Sequence, residues 1–318
     1  MKPLISVVLP FYGSFDKKRI EVTVNSLQLQ ENVDLEIILS EQGPQPVLDF
    51  KGMNAPNVTH VFSHHEPSND VSDYSPGQVR NIGIAHSSGE FVYTNDADIC
   101  FLNPNYLSSL TSLLKEQPEM SLRHPRMKRL PLVEFDNFYE FIQKTDLSSA
   151  IKHLHHPSPY IATISGKNVP MKIVDRLKEH GKVFTAPQDL FNSYLAEDTW
   201  KGKEPMIFLE DKHIGGNIVR KKHLEEVCGY THEYLNWGCE DSDLQWKLEE
   251  IFTNRVIPQK QEFEVLHLDH PKGYFEESLW RRNEKRFLER KENGIIDALE
   301  IDKVSWTAVT NAYSANNS

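Results

Sequence analysis

Two carboxylates one residue apart, in Asn95-Asp96-Ala97-Asp98, follow directly on the apolar run Glu90-Phe91-Val92-Tyr93-Thr94. Carboxylates at i and i+2 of a turn can offer oxygen to one divalent cation, and a hard ion such as Mg²⁺ or Mn²⁺ suits them. An isolated Asp-x-Asp is a weak pattern whose plain alternative is a capped turn. Its place after a buried strand favours a site, because ligands gather at the carboxyl ends of strands in open parallel sheets. A second cluster is Trp237-Gly238-Cys239-Glu240-Asp241-Ser242-Asp243. Acids near a helix N-terminus are favourable by about 0.3–1 kcal/mol each, so capping alone could explain them. A Trp-Gly turn leading into Glu-Asp is more specific than capping requires. Trp237 offers a flat face for a sugar ring, Gly238 lets backbone approach a ligand, and a carboxylate there can serve as a general base. Third, His267-Leu268-Asp269-His270 follows another apolar run, and imidazole suits a transition-type ion such as Mn²⁺. Arg80-Asn81-Ile82-Gly83 could balance a diphosphate through Arg80, or be an ordinary helix charge. Gly215-Gly216-Asn217 removes side chains from one side of a cavity, or makes a simple tight turn.

The elements that position these residues alternate strand and helix. Leu4 to Pro10 is rich in β-branched residues, as a buried parallel strand is. Arg19 to Gln30 reads as a helix, Leu35 to Leu39 as a second strand and Val58 to Phe62 as a third. Gln78 to Ser87 is a helix after Pro76-Gly77, and Glu90 to Thr94 is the fourth strand. This rhythm predicts an α/β fold, with a mainly parallel sheet covered by helices. Pro104 to Lys115 reads as a helix capped by Asn103. A strand at Ile214 to Val219, helices at Lys221 to Val227 and Glu240 to Phe252, and a strand at Phe263 to Leu266 follow. The segment Phe275 to Lys291 reads as a charged helix with one apolar stripe, and Asn311 to Ser318 as a fraying end. The expected division is a domain over 1–274, with a nucleotide-binding half at 1–101 and an acceptor-binding half at 102–274, followed by a helical tail at 275–318.

The chain has 318 residues, 39% hydrophobic and 25% charged, an ordinary soluble profile. The formal net charge of −11 argues against nucleic-acid binding, which needs a basic footprint. The exception is the island Arg123-His124-Pro125-Arg126-Met127-Lys128-Arg129, either a solvated loop or a contact to an anionic substrate. No apolar run is long enough for a transmembrane helix, and the first residues lack a signal-peptide pattern. Three cysteines, Cys100, Cys228 and Cys239, without a CxxC pair, fit a reducing compartment. A cytoplasmic location is expected, and the sequon at Asn57-Val58-Thr59 is then accidental.

The clusters, in this order, resemble the nucleotide-sugar glycosyltransferases of the GT-A fold. Val7-Val8-Leu9-Pro10-Phe11-Tyr12, Arg80-Asn81-Ile82-Gly83 and Asn95-Asp96-Ala97-Asp98 look like glycosyltransferase family 2. The segment from Trp237 to Asp243 is similar to the Trp-Gly-x-Glu-Asp segment of β-1,4-galactosyltransferases and chondroitin-type polymerases. The resemblance spans about residues 4–270. It implies that Asp98 binds Mn²⁺ (or Mg²⁺), with His267 as the other protein ligand and His270 as its rival. Asp96 would hold the donor ribose or the metal's waters. Glu41 stands where the family contacts uracil, Pro10, Phe11 and Tyr12 border the nucleoside, and Gly216 lies near the donor sugar. Asp241 matches the base of the inverting enzymes, and Glu240 holds sugar hydroxyls. Cys239 departs from the pattern, which often has a second glycine there.

The function implied is transfer of a hexose or N-acetylhexosamine from a UDP-sugar to a hydroxyl of a glycan or glycolipid acceptor, in bacterial surface polysaccharide synthesis. The anomeric centre inverts, with Asp241 as base and the metal and Arg80 stabilising the leaving diphosphate. Two alternatives stand beside it: a retaining transferase of the same fold, and a catalytically silent carbohydrate-binding protein. The tail, with Arg281, Arg282, Lys285, Arg286 and Arg290 among apolar residues, could touch the inner membrane face as an interfacial helix. The alternative is a helix packed on the domain.

Overall fold

In the computed structural model, residues 4–13, 15–47, 56–66, 74–123, 127–130, 132–152, 154, 163–164, 167–168, 208–209, 215–258, 260–270 and 276–314 are described. The N-terminal half contains β1 (Ile5–Tyr12), α1 (Lys17–Gln28), β2 (Leu35–Gly43), β3 (Val58–His64), α2 (Pro76–His86), β4 (Phe91–Thr94), β5 (Ile99–Phe101) and α3 (Tyr106–Glu116). Next come β6 (Met120–Arg123), β7 (Lys128–Leu130), α4 (Leu132–Lys144), α5 (Leu147–Lys152), β8 (Thr163–Ile164), β9 (Lys167–Asn168), β10 (Phe208–Leu209) and β11 (Asn217–Arg220). The C-terminal part holds α6 (Lys221–Glu226), α7 (Glu240–Ile251), β12 (Thr253–Val256), β13 (Val265–Leu268), α8 (Glu277–Asn293) and α9 (Ile295–Ser314).

Side chains alternate across a strand, and β1 uses both faces. Ile5, Val7, Leu9 and Phe11 join Ile20, Val24 and Leu27 of α1 and Leu107, Leu110 and Leu114 of α3 in one buried cluster. Val8 points the other way, among Ile82 and Ile84 of α2, Leu224 of α6, Leu244 and Leu248 of α7, and Trp306 and Val309 of α9. The central sheet runs β12-β6-β11-β4-β1-β2-β3. β1 pairs in parallel with β2 and β4, and β2 with β3, while β11 runs antiparallel to both β4 and β6. This is the helix-covered, mainly parallel sheet that the strand–helix rhythm predicts. It also places the carboxyl ends of β1, β2 and β4 along one edge.

A second sheet, β10-β7-β13-β5, is not visible in the sequence rhythm, because its strands are two to four residues long and too short for a period to register. It matters for the site. His267 pairs with Ile99 across β13 and β5, and the Leu268 N–H donates to the Asp98 carbonyl at 2.8 Å. β13 begins at Val265 rather than Phe263, since residues Gln261–Phe263 form a 3₁₀ turn. His267 therefore lies within the strand instead of beyond it. α3 likewise starts at Tyr106 rather than Pro104. The Asn103 side chain accepts from the Asn105 N–H at 2.8 Å, closing a turn ahead of the helix instead of capping it.

The helices after residue 275 are packed on the domain. Lys247 of α7 is fully buried and reaches Asp302 of α9 at 2.6 Å. Arg290 of α8 is buried too, bonding Asp243 at 2.7 Å and Asp302 at 2.7 Å. Of the five basic tail residues, Arg290 thus faces the protein interior, and Arg286 pairs with Glu233 at 2.6 Å. α9 continues to Ser314, past the point where the sequence suggests fraying. Residues 315–318 and Phe275 lie outside the described residues, as does Ile214 at the start of the expected β11. No described helix is long and apolar enough to cross a membrane.

Candidate active site

Three side chains converge at the end of the Asp-Ala-Asp turn. His270 Nε2 lies 3.0 Å and His267 Nε2 3.5 Å from Asp98 Oδ2. One donor atom from each of the three falls within 4.8 Å of the others. Asp98 Oδ1 is buried without a hydrogen-bond partner among the described residues. A buried carboxylate oxygen left unbonded is costly, and one carboxylate with two imidazoles is a donor set that suits a divalent transition ion. The residues present therefore fit a metal, with His270 placed as well as His267. The loop bearing His270 is itself anchored. Arg19 of α1, stacked 3.8 Å from the Phe135 ring, donates from Nε to the carbonyls of Leu268 at 3.2 Å and Asp269 at 3.1 Å.

Beside this triad lies a charge cluster around Arg80, which α2 brings to the same edge. Ser75 caps α2 and Pro76 occupies its first turn. The helix starts so close to the following loop that a Cβ on Gly77 would sit 2.2 Å from the Thr231 carbonyl. Arg80 bonds Asp96 at 2.8 Å, Glu240 at 3.3 Å and Asp241 at 3.5 Å. The Tyr230 hydroxyl donates to Asp241 Oδ1 at 3.2 Å, and Asn217 Nδ2 approaches the same oxygen at 3.5 Å. One cation thus faces three acids. Burial first, and the neighbouring Asp241 charge second, push the Glu240 carboxyl up to about 7 against the pull of Arg80.

Asp96 belongs to one cluster and Asp98 to the other, so the turn from Asn95 to Asp98 joins them. Trp237 stands at the rim, 43% exposed. Cys239 adopts φ 76° as the residue before α7. That is the left-handed conformation which favours glycine. Gly216, at φ 80°, needs its glycine for the same reason.

No protein-family model matches the chain, and no curated protein matches it in sequence. Among solved structures, the chain is similar to S. aureus TarS 1-349 at 17% identity and a TM-score of 0.45, covering 84% of this chain and 60% of that one. It is also similar to the mannosyltransferase PcManGT from Pyrobaculum calidifontis, solved with GDP-Man and Mn²⁺, at 14% identity and a TM-score of 0.48, covering 99% of this chain and 76% of that one. The chain thus spans about three fifths of the length of the first of these.

Other residues singled out in the sequence take varied places. Asn81 is fully engaged in holding the loop after α6: it donates to the Tyr230 carbonyl at 2.7 Å and accepts from the Tyr230 N–H at 2.8 Å. Glu41, fully buried at the end of β2, accepts from the Val47 N–H at 2.7 Å and contacts His60 Nε2 at 2.7 Å. Pro10, Phe11 and Tyr12 end β1, with the Tyr12 ring edge-on to Tyr74 at 5.4 Å. In the basic island, Arg123 bonds Gln245 at 2.9 Å and Lys128 pairs with Glu264, while residues 124–126 lie outside the described residues. The sequence does not mark Tyr230 and Arg19 as site-shaping residues, and Asn217 stands out there only as the neighbour of Gly215 and Gly216. Each is an ordinary residue type, and no local spacing marks its long-range partner.

The raised Glu240 carboxyl has a consequence for stability. A carboxyl whose folded pKa exceeds its ordinary value of 4.5 holds its proton better when folded. The stability it contributes is present below 4.5 and is lost as pH rises through about 7. Glu240→Gln removes the charge and keeps the shape. It is expected to melt above wild type at pH 8, with the gap closing toward pH 4.5. Melting curves of both proteins across that range check the sign, and a variant less stable than wild type at pH 8 contradicts the assignment.

Proposed function

We propose that the chain is a metal-dependent, inverting glycosyltransferase of GT-A type. It moves a hexose or N-acetylhexosamine from a UDP-sugar to a hydroxyl of a glycan or glycolipid acceptor, in surface polysaccharide synthesis. The observation that carries the reading is the junction of two constellations at one turn. Asp98, His267 and His270 form a metal-fit triad, and two residues earlier Asp96 joins Arg80, Glu240 and Asp241. A nucleotide-sugar transferase needs both halves side by side. One handles the charge developing on the diphosphate, the other the proton of the acceptor.

Asp98, His267 and His270 would hold a divalent ion, which when bound would supply Lewis-acid stabilisation for the leaving diphosphate. The chain's own groups do the rest. Asp241 takes the acceptor's proton. Tyr230 and Asn217 reach its Oδ1, leaving Oδ2 on the Arg80 side. Glu240, held by Arg80, orients sugar hydroxyls. The exposed Trp237 ring stacks on a sugar face, and a stacked aromatic adds apolar contact without demanding one hydroxyl pattern. Arg80 serves three carboxylates, so any contact from it to a diphosphate requires an exchange of partners. For the donor base we infer uridine, on the strength of the sequence resemblance; Glu41, whose two oxygens meet the Val47 N–H and His60, would have to exchange partners to contact it. Calorimetry with UDP, GDP and CDP in the presence of Mn²⁺ tests this. UDP is expected to bind tightest, and a clear preference for GDP overturns the donor assignment.

A further inference from the structure

The segment that carries the Trp-Gly turn into Glu240 and Asp241 is wound tightly. Asn236, Gly238 and Cys239 all have positive φ, at 63°, 106° and 76°. Two of the three carry side chains, for which this region is unfavourable, and Cys239 gives the helix behind it no side-chain cap. A segment in that state needs to be held from outside.

Helix α8 does the holding. Asn283, only 1% exposed, points its Nδ2 at three carbonyls of the segment: Leu235 at 3.0 Å, Gly238 at 3.2 Å and Trp237 at 3.3 Å. One turn earlier, Trp280 covers Gly238 so closely that a Cβ there would lie 2.8 Å from its ring. Two turns after Asn283, Arg290 bonds both oxygens of Asp243, in the first turn of α7, at 2.7 and 3.3 Å. Between them the Phe287 ring meets Trp246 of α7 edge-on at 6.4 Å. Positions 280, 283, 287 and 290 recur at helical spacing and so form one face. That face is laid along the Trp237–Asp243 segment.

We propose that Asn283 of helix α8, with Trp280, is a positioning residue for the acceptor side of the transfer site. On this account α8 sets where Trp237, Glu240 and Asp241 stand, so the C-terminal helices belong to the catalytic unit. The proposal rests on the transferase reading for the role it assigns, and on geometry alone for the clamp.

The test uses the full chain with Asn283→Ala. Asn283→Asp keeps the volume but replaces the donating amide with an acceptor, and it carries the same comparison if the alanine variant does not fold. Arg282→Ala, on the exposed side of α8, is the control. The first readout is amide hydrogen exchange over residues 235–243, expected to quicken by about tenfold or more in the Asn283 variants and not in the control. The second is UDP release from UDP-N-acetylglucosamine with Mn²⁺, expected to slow by about tenfold, since small misplacements of reacting groups cost rate steeply. UDP–Mn²⁺ affinity should stay within about twofold of wild type, which separates lost positioning from lost donor binding. Unchanged exchange overturns the clamp. Faster exchange with wild-type UDP release overturns the positioning role. Faster exchange in a chain that, even as wild type, releases no UDP from the UDP-sugars of glucose, galactose, N-acetylglucosamine or N-acetylgalactosamine supports the clamp and instead sinks the transferase reading.

Discussion

Asp241→Asn should lower kcat by at least about 10²-fold, the usual scale for losing a general base, while fold and UDP–Mn²⁺ binding stay near wild type. Asn has the shape of Asp but cannot take the acceptor's proton. The amide can still meet the Tyr230 hydroxyl, which lies 3.2 Å from Oδ1 in the native chain. The triad at Asp98 is a separate set of side chains, so donor binding has no reason to fall. The change also removes one of three negative charges around Arg80, which relieves the pressure on Glu240. Glu240→Gln should act differently, weakening substrate binding as well as turnover. Steady-state kcat and nucleotide affinity for both variants decide the assignment. An Asp241→Asn enzyme with near wild-type kcat places the base elsewhere and turns attention to a retaining mechanism, which product anomer analysis by NMR would reveal.

The second large effect is at Asp98. Asp98→Ala should abolish activity and metal-assisted nucleotide binding together, and EDTA should do the same to wild type, with Mn²⁺ restoring it. Removing Asp98 takes away the only carboxylate of the triad and leaves His267 and His270 facing each other, their rings already 5.8 Å apart. Two neutral imidazoles alone offer no anionic oxygen to a hard or borderline cation. Full turnover of wild type in EDTA would reject this site.

Much of this arrangement is legible in the sequence where local pattern and chemistry coincide. β1, β2, β4 and the helices between them carry apolar runs long enough to show a period, and Asp96 and Asp98 are conspicuous directly after β4. The cluster from Trp237 to Asp243 is equally plain, because three acids in four residues stand out. What is hidden depends on contacts far apart in the chain. β5 and β13 are too short to announce a second sheet, yet their pairing sets His267 and His270 against Asp98. Tyr230 and Asn217 meet Asp241 only through folding. The charged helix α8 reads as a tail because Arg290 and Asn283 look like surface residues. Their burial follows from Asp243, Asp302 and the carbonyls of residues 235, 237 and 238, partners that no short-range spacing encodes. The positive φ of Cys239 is likewise invisible in the sequence, because a cysteine carries no local signal for it.

On the transferase reading, Asp98, His267 and His270 hold a metal that bears the nucleotide. A Mn²⁺ titration followed by electron paramagnetic resonance, with wild type and Asp98→Ala, each with and without UDP, tests it most directly. One Mn²⁺ per wild-type chain is expected, bound more tightly when UDP is present, with both the binding and the UDP effect lost in Asp98→Ala. Equal Mn²⁺ binding by the two proteins, or wild-type binding indifferent to UDP, would contradict it.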